Sequence, residues 1–334
     1  MRSRREFVTS AAAVGSSLWL SKLLPAATAG EEKRFEGIFP IMQTPFTDAG
    51  ALDTETLGRE AQFLYRAGTQ GMVWPQGASE YTTLTPDERF AGAEAIVRAN
   101  KAAPAGTKPS VVIGVQAPDI ATAVKYARHA EKIGADGIIA IPLNAGVGVD
   151  EGKQMEYYSA IGSACSKPLA VQAIGDISVD LVLRMAKQIP TLQYVKDEAG
   201  VTLPRLTEYR KREPKLRGVF SGKNGPTFLD ELARGACGNM TSAGFADLYV
   251  ATWEAWKAGK QDQAEDMFGK TLLLIMDAQT YGVAGQKYIL QLRGVFKNSK
   301  CRRVQGNVPL DDEAKKAIER TMNYAKRWFH ALEA

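Results

Sequence analysis

A lysine that closes an apolar run has the widest chemical reach in this sequence. Lys196 follows Gln193-Tyr-Val and precedes Asp197 and Glu198. An amine at the end of a buried strand is costly unless it is paired or its pKa is lowered, and a lowered pKa lets it form an imine near neutral pH. Two readings stand side by side: an imine-forming nucleophile, and a structural lysine paired with Asp197 or Glu198. A second candidate is Gly77-Ala78, which comes after the apolar run 71–75. Small residues at such a turn leave backbone N–H groups free to face an anion such as a carboxylate, the plain alternative being a tight turn. Other chemistries have little material. His129 and His330 are the only histidines and both fall in helical patterns, while Cys165, Cys237 and Cys301 form no CxxC and no ligand spacing with them. A Ser–His or Cys–His mechanism, a metal centre, a disulfide framework or a further cofactor is therefore not expected.

The elements that must position these residues repeat along the chain. Runs rich in β-formers lie at 37–45, 71–75, 110–115, 137–142, 169–174, 193–196, 218–222 and 238–242. They are nearly continuous in apolar residues rather than alternating, the pattern of parallel strands buried on both faces. Helical signals separate them. Asp53 is placed to cap a helix whose apolar face carries Leu57, Ala61 and Leu64, and Thr85-Pro86-Asp87-Glu88 is a capping box opening another. Ala121, Val124 and Ala127 form a stripe, Ser178 caps 179–187, and Pro226 opens 227–234. Eight strands alternating with helices predict an α/β fold, a (β/α)8 TIM barrel with right-handed crossovers. A doubly wound sheet is the other architecture with this rhythm, but no GxGxxG comes after the first strand. Helices expected at 246–258, 261–280, 284–295 and 311–331 complete the last unit and add a C-terminal helical extension. The domain reading is thus a barrel over 30–258 and an extension over 259–334.

In such a barrel chemistry sits at the C-terminal ends of the strands. Those ends carry Thr44, Gln76 to Glu80, Gln116, Asn144, Gln172, Lys196 to Glu198, Lys223-Asn224 and Ser242.

The chain has 334 residues, 45% of them hydrophobic and 24% charged, enough for a large core. No run in its body is long and apolar enough for a membrane span. The net charge is +5, of which +3 lies in residues 1–29, so the remainder offers no basic stripe for nucleic acid. Residues 1–29 read as an export signal. Arg4-Arg5 has the twin-arginine form, a small and apolar stretch runs from Ala11 to Leu20, and Ala27-Thr28-Ala29 has the A-x-A form cleaved by signal peptidase. A periplasmic mature protein is expected.

Residues 35–330 resemble the family of dihydrodipicolinate synthase and N-acetylneuraminate lyase. The segments that carry the likeness occur in order: Gly37-Ile-Phe-Pro-Ile-Met-Gln-Thr-Pro-Phe46, the stretch from Gly71 to Arg89, Val112-Ile-Gly-Val115, Gly134-Ala-Asp-Gly-Ile-Ile-Ala-Ile-Pro142, Val195-Lys-Asp-Glu-Ala-Gly200 and Phe220-Ser-Gly222. The resemblance implies class I aldolase chemistry on pyruvate or a related 2-keto acid, with Lys196 as the Schiff-base residue. It also implies a homo-oligomer, a dimer or more usually a tetramer.

The departures bear on the reaction. The family's Gly-Thr-Thr-Gly-Glu becomes Gln76-Gly77-Ala78-Ser79-Glu80, which removes two hydroxyls but keeps the amides of Gly77 and Ala78 for a substrate carboxylate. Pro-Tyr-Tyr becomes Pro142-Leu143-Asn144, and Tyr-Asn-Ile-Pro becomes Gln172-Ala173-Ile174-Gly175. The family's tyrosine at the latter site relays protons, and Gln172 has no titratable proton to relay. Asn144, Gln172 and Lys223 are therefore taken as substrate-binding candidates. Glu80, Tyr81, Glu198 and Lys223 are the titratable groups near the rim. The expected function is a Schiff-base lyase, aldolase or dehydratase, that does not make dihydrodipicolinate. The alternative is a barrel that binds a keto acid in the periplasm without turnover.

Overall fold

The apolar runs form strands because each residue in them finds an apolar neighbour on both sides. In the computed structural model, which describes residues 34–331 apart from 105, 107, 145–147, 213–215 and 304–307, they are β1 Gly37–Ile38, β2 Gly71–Trp74, β3 Ser110–Gly114, β4 Gly137–Ala140, β5 Leu169–Ala173, β6 Leu192–Asp197, β7 Gly218–Ser221 and β8 Gly238–Asn239. The expected export signal at 1–29 lies outside the described residues. All neighbours pair in parallel, in the order β1-β8-β7-β6-β5-β4-β3-β2. Ile41 bridges to both Val73 and Ser242 and so closes the ring. β1 is far shorter than the apolar run 37–45 because Pro40 has no N–H to give to a ladder. The amides around it still pair on both sides, Phe39 with Asn239 O and Met42 with Val73 O, each at 2.9 Å.

Helices α1 Thr54–Arg66, α2 Pro86–Ala102, α3 Ile120–Ile133, α4 Glu151–Ala164, α5 Val179–Gln188, α6 Thr202–Lys211, α7 Phe228–Ala233 and α8 Ala246–Lys257 alternate with the strands. The fold is the (β/α)8 barrel the sequence predicts. Its caps are those legible in the sequence: Asp53 accepts from Thr56 N at 2.9 Å, Ser178 from Leu181 N at 3.1 Å, and Thr85 with Glu88 closes a capping box. The helix expected at 227–234 begins later, at Phe228, with Thr227 as its N-cap.

Inward-facing residues fill the barrel as stacked layers. Phe35, Phe39, Val112, Ala170, Tyr194 and Phe220 belong to one buried cluster, in which Phe35 stacks on Tyr194 with ring centroids 5.0 Å apart. Beyond α8 the chain forms α9 Gln261–Thr280, α10 Gly282–Leu292 and α11 Asp312–Ala325. The last helix stops short of the expected 331 and gives way to a 3-10 turn at Lys326–Trp328. Residues 329–331 are held by a buried pair instead: Arg293 donates to Asp247 Oδ2 at 2.9 Å and to Ala331 O at 2.5 Å, and its guanidinium lies 3.7 Å from the centroid of the Phe329 ring. His330 sits in this junction, with Nε2 3.3 Å from Ala67 O, and His129 meets Glu94 at the surface at 2.9 Å. Both histidines serve packing, away from the strand ends.

Candidate active site

Side chains two apart on a strand share a face. Tyr194 belongs to the barrel interior, so Lys196 faces inward one layer higher, at the C-terminal mouth. The register sets its neighbours: Lys196 aligns with Gln172 on β5 and with Phe220 on β7. Gln172 stands above Ala170 by the same alternation. Lys196 is 4% exposed and Gln172 6%, so the amine is a buried charge that needs a partner.

Glu198 supplies it. The ladder continues one residue past the strand, with Glu198 N donating to Ala173 O at 2.8 Å, and the side chain turns back over the mouth. Its Oε2 lies 3.1 Å from Lys196 Nζ and accepts from Gln172 Nε2 at 2.5 Å, while Oε1 accepts from Lys223 N at 2.6 Å. Burial pushes the Glu198 carboxyl up, but the Lys196 ammonium, the Lys223 amide and the Gln172 amide together outweigh it and hold it below the usual carboxylate range. Gly222 makes room for this side chain, since a Cβ there would stand 2.2 Å from Glu198 Cγ. Asp197 faces the other way. It takes Arg205 Nε at 2.9 Å and Ala199 N at 3.1 Å, and burial raises its pKa against the pull of Arg205. Of the two structural partners open to Lys196 in the sequence, the carboxylate beside it is thus Glu198.

Gly77–Ser79 form one 3-10 turn above the mouth, after β2. Its leading N–H groups have no partner within the turn. Both ends of the turn are fastened: Ser79 Oγ donates to Met42 O at 2.5 Å and accepts from Gln76 N at 3.0 Å, while Glu80 N donates to Gly77 O at 3.0 Å. Between them, Gly77 faces open space, with nothing within 4 Å of a Cβ built there, and Ala78 leans on the barrel interior. Backbone donors without a partner inside the turn are of the kind that can donate to a carboxylate.

Gln172 Oε1 and Ser242 Oγ are buried without a partner. Ser242 lies two residues beyond Met240, which faces the interior, so both atoms belong to the layer of Lys196 and are available to a polar ligand. The remaining sequence candidates lie farther out. Asn144 is exposed on a left-handed turn at φ 53°. Lys223 is also exposed and left-handed; its backbone holds Glu198, whereas its Nζ donates to Gly200 O at 2.7 Å. Glu80 is turned away and wholly buried against Lys287, and burial raises the Tyr81 phenol. Of the titratable rim residues seen in the sequence, Glu198 is the one the fold brings to Lys196. Ser242 had no signal beyond its place at a strand end. Among the described residues no group of three His, Cys, Asp or Glu side chains is placed to hold a metal ion, and no helix is long and apolar enough to cross a membrane.

Comparison with known proteins agrees with the barrel fold. The model of the Dihydrodipicolinate synthetase family matches residues 34–325. L-2-keto-3-deoxyarabonate dehydratase of Azospirillum brasilense is 29% identical over 313 residues, covering 91% of this chain and 100% of that one. A 4-hydroxy-tetrahydrodipicolinate synthase of Rhizobium meliloti is 28% identical over 268 residues, covering 78% of this chain and 88% of that one. The crystal structure of dihydrodipicolinate synthase from Rhodopseudomonas palustris superposes with a TM-score of 0.77 at 25% identity, covering 87% of this chain and 97% of that one.

Proposed function

The chain belongs to the dihydrodipicolinate synthetase family, and from that premise we propose that it is a lyase that captures a 2-keto acid as a Schiff base on Lys196. The observation that carries this reading is the buried amine–carboxylate pair at the barrel mouth, 3.1 Å apart. Glu198 relieves Lys196 Nζ of a proton, the free amine attacks C2 of the keto acid, and the proton leaves with the carbinolamine hydroxyl as water. The Gly77 and Ala78 amides hold the substrate carboxylate. Glu198 then takes a proton from C3, and the electron pair moves through C2 to the imine nitrogen, giving an enamine. Where C4 bears a hydroxyl, Glu198 returns this proton to it. The C4–O bond breaks, water departs, and hydrolysis of the conjugated imine frees Lys196. Glu198 thereby does the work that a tyrosine at position 172 does elsewhere in the family.

This favours a dehydratase acting on 2-keto-3-deoxy sugar acids, the class named in the Azospirillum relative. The open acceptors Gln172 Oε1 and Ser242 Oγ suit its hydroxyls, with Asn144 and Lys223 at the rim for its far end. The test is incubation with 2-keto-3-deoxy pentonates and hexonates, with mass analysis of the products. Loss of one water with all carbons retained is the expected result. Release of pyruvate identifies an aldolase instead, and a protein that binds the acids but consumes none is the non-catalytic barrel.

We also propose that the chain is exported through its Arg4-Arg5 signal and works as a periplasmic homo-oligomer, dimer or tetramer. Fractionation of cells carrying the Arg4→Lys/Arg5→Lys variant tests the first, with retention in the cytoplasm expected. Light scattering on the mature protein tests the second, and a monomer overturns it.

A further inference from the structure

The position directly after the Gly77–Ser79 turn is left-handed, where glycine is the default. Glu80 occupies it, at φ 54° and ψ 37°. Its carboxylate is wholly buried and fully used. Oε1 accepts from the amides of Arg302 and Arg303, both at 2.9 Å, and Oε2 takes the Nζ of Lys287, which also donates to Lys300 O at 2.8 Å. One side chain thus joins the turn after β2 to α10 and to the segment just beyond α10. That segment is itself laced to the connections that follow β1 and β2. Asn298 donates to Phe46 O at 3.2 Å, and Arg302 donates to Gly50 O and Thr83 O at 2.9 Å each and grips Glu88. A buried ion pair adds little net stability over well-packed apolar residues of the same size, so its more natural yield is geometry.

We propose that Glu80 is a positioning residue through which the C-terminal segment 298–303 sets the direction of the Gly77 and Ala78 amides toward the substrate carboxylate. The inference rests on those amides being the donors to that carboxylate. Ser79 fixes the turn from the side of β1, and Glu80 fixes it from the side of the C-terminal extension. Glu80 touches no substrate atom and takes no part in imine formation. Losing it weakens recognition of the acid group and leaves the reactivity of Lys196 toward a carbonyl intact.

Two carbonyl probes separate these effects: pyruvate, and hydroxyacetone, a ketone without a carboxylate. Each is trapped on Lys196 with borohydride, and the half-saturating concentration is read by mass spectrometry. The variant Glu80→Gly/Lys287→Met keeps the left-handed turn and removes both buried charges, leaving neither unpaired. The expected result is a rise of about ten-fold or more for pyruvate, with hydroxyacetone unchanged within about two-fold. An unchanged value for pyruvate, or an equal loss for both probes, overturns the proposal. If the double variant does not fold, Glu80→Gln is read in the same way, with the same outcomes deciding. Failure of the unaltered protein to trap either probe sinks the Schiff-base reading and this proposal with it, a result distinct from loss of the split between probes.

Discussion

The Nζ of Lys196 and Oε2 of Glu198 stand 3.1 Å apart at the mouth of the barrel, and among the described residues neither makes another ion pair. The two are separated by one residue, so on a continuing strand both would face the interior. The ladder instead ends on the Glu198 amide, and the carboxylate folds back over the amine. The two groups are within hydrogen-bond reach, and the lysine it faces helps to hold the Glu198 carboxyl below its usual range against the upward push of burial.

Replacement of Glu198 by Gln keeps the shape and removes the proton carrier. Turnover is expected to fall by about 10²–10⁴-fold, the usual weight of general acid–base catalysis, while borohydride still traps a keto acid on Lys196, more slowly than in the natural protein. Turnover at the unaltered rate, measured with a 2-keto-3-deoxy acid, removes Glu198 from the mechanism.

Gly222→Ala tests the same pair sterically. The added methyl would lie 2.2 Å from Glu198 Cγ and 2.7 Å from its Oε1, so the carboxylate must move off Lys196. The expectation is a loss of about 1–3 kcal/mol of stability by denaturant unfolding, together with a fall in turnover. A folded variant with full activity shows that the position of Glu198 does not matter.

Glu60 gives a pH signature. Burial pushes its carboxyl well above the usual range, and the Gln43 amide and Lys287, which pull the other way, do not outweigh it. The folded chain therefore keeps this proton to a higher pH than the unfolded chain does. This proton costs stability progressively as pH rises above the ordinary carboxylate range. Glu60→Gln carries no such cost, so its gain in melting temperature over the natural protein should grow as pH rises above the ordinary carboxylate range. A gain that is constant or shrinks with pH contradicts a raised Glu60 carboxyl.

Much of this was legible in the sequence, because strand burial and caps are local. The apolar runs located every strand, Asp53, Thr85 and Ser178 announced their helices, and Gln193-Tyr-Val-Lys196 put the amine at a strand end. The extent of β1 was less legible, because Pro40 breaks the ladder while the flanking amides keep it, and only the neighbouring strands reveal the difference. The end of α11 was hidden because helical periodicity runs on through Ala331, and the pull of Arg293 and Asp247 comes from distant segments. The choice of Glu198 over Asp197 as partner also needed the fold. Adjacent residues point to opposite faces only while the strand lasts, and where it stops is set by pairing with β5.

The most direct measurement is borohydride reduction of the protein with pyruvate or a 2-keto-3-deoxy sugar acid, with the adduct located by peptide mapping. The account predicts one covalent adduct, on Lys196, lost in Lys196→Ala. An adduct at another lysine, or none with any keto acid tried, contradicts it.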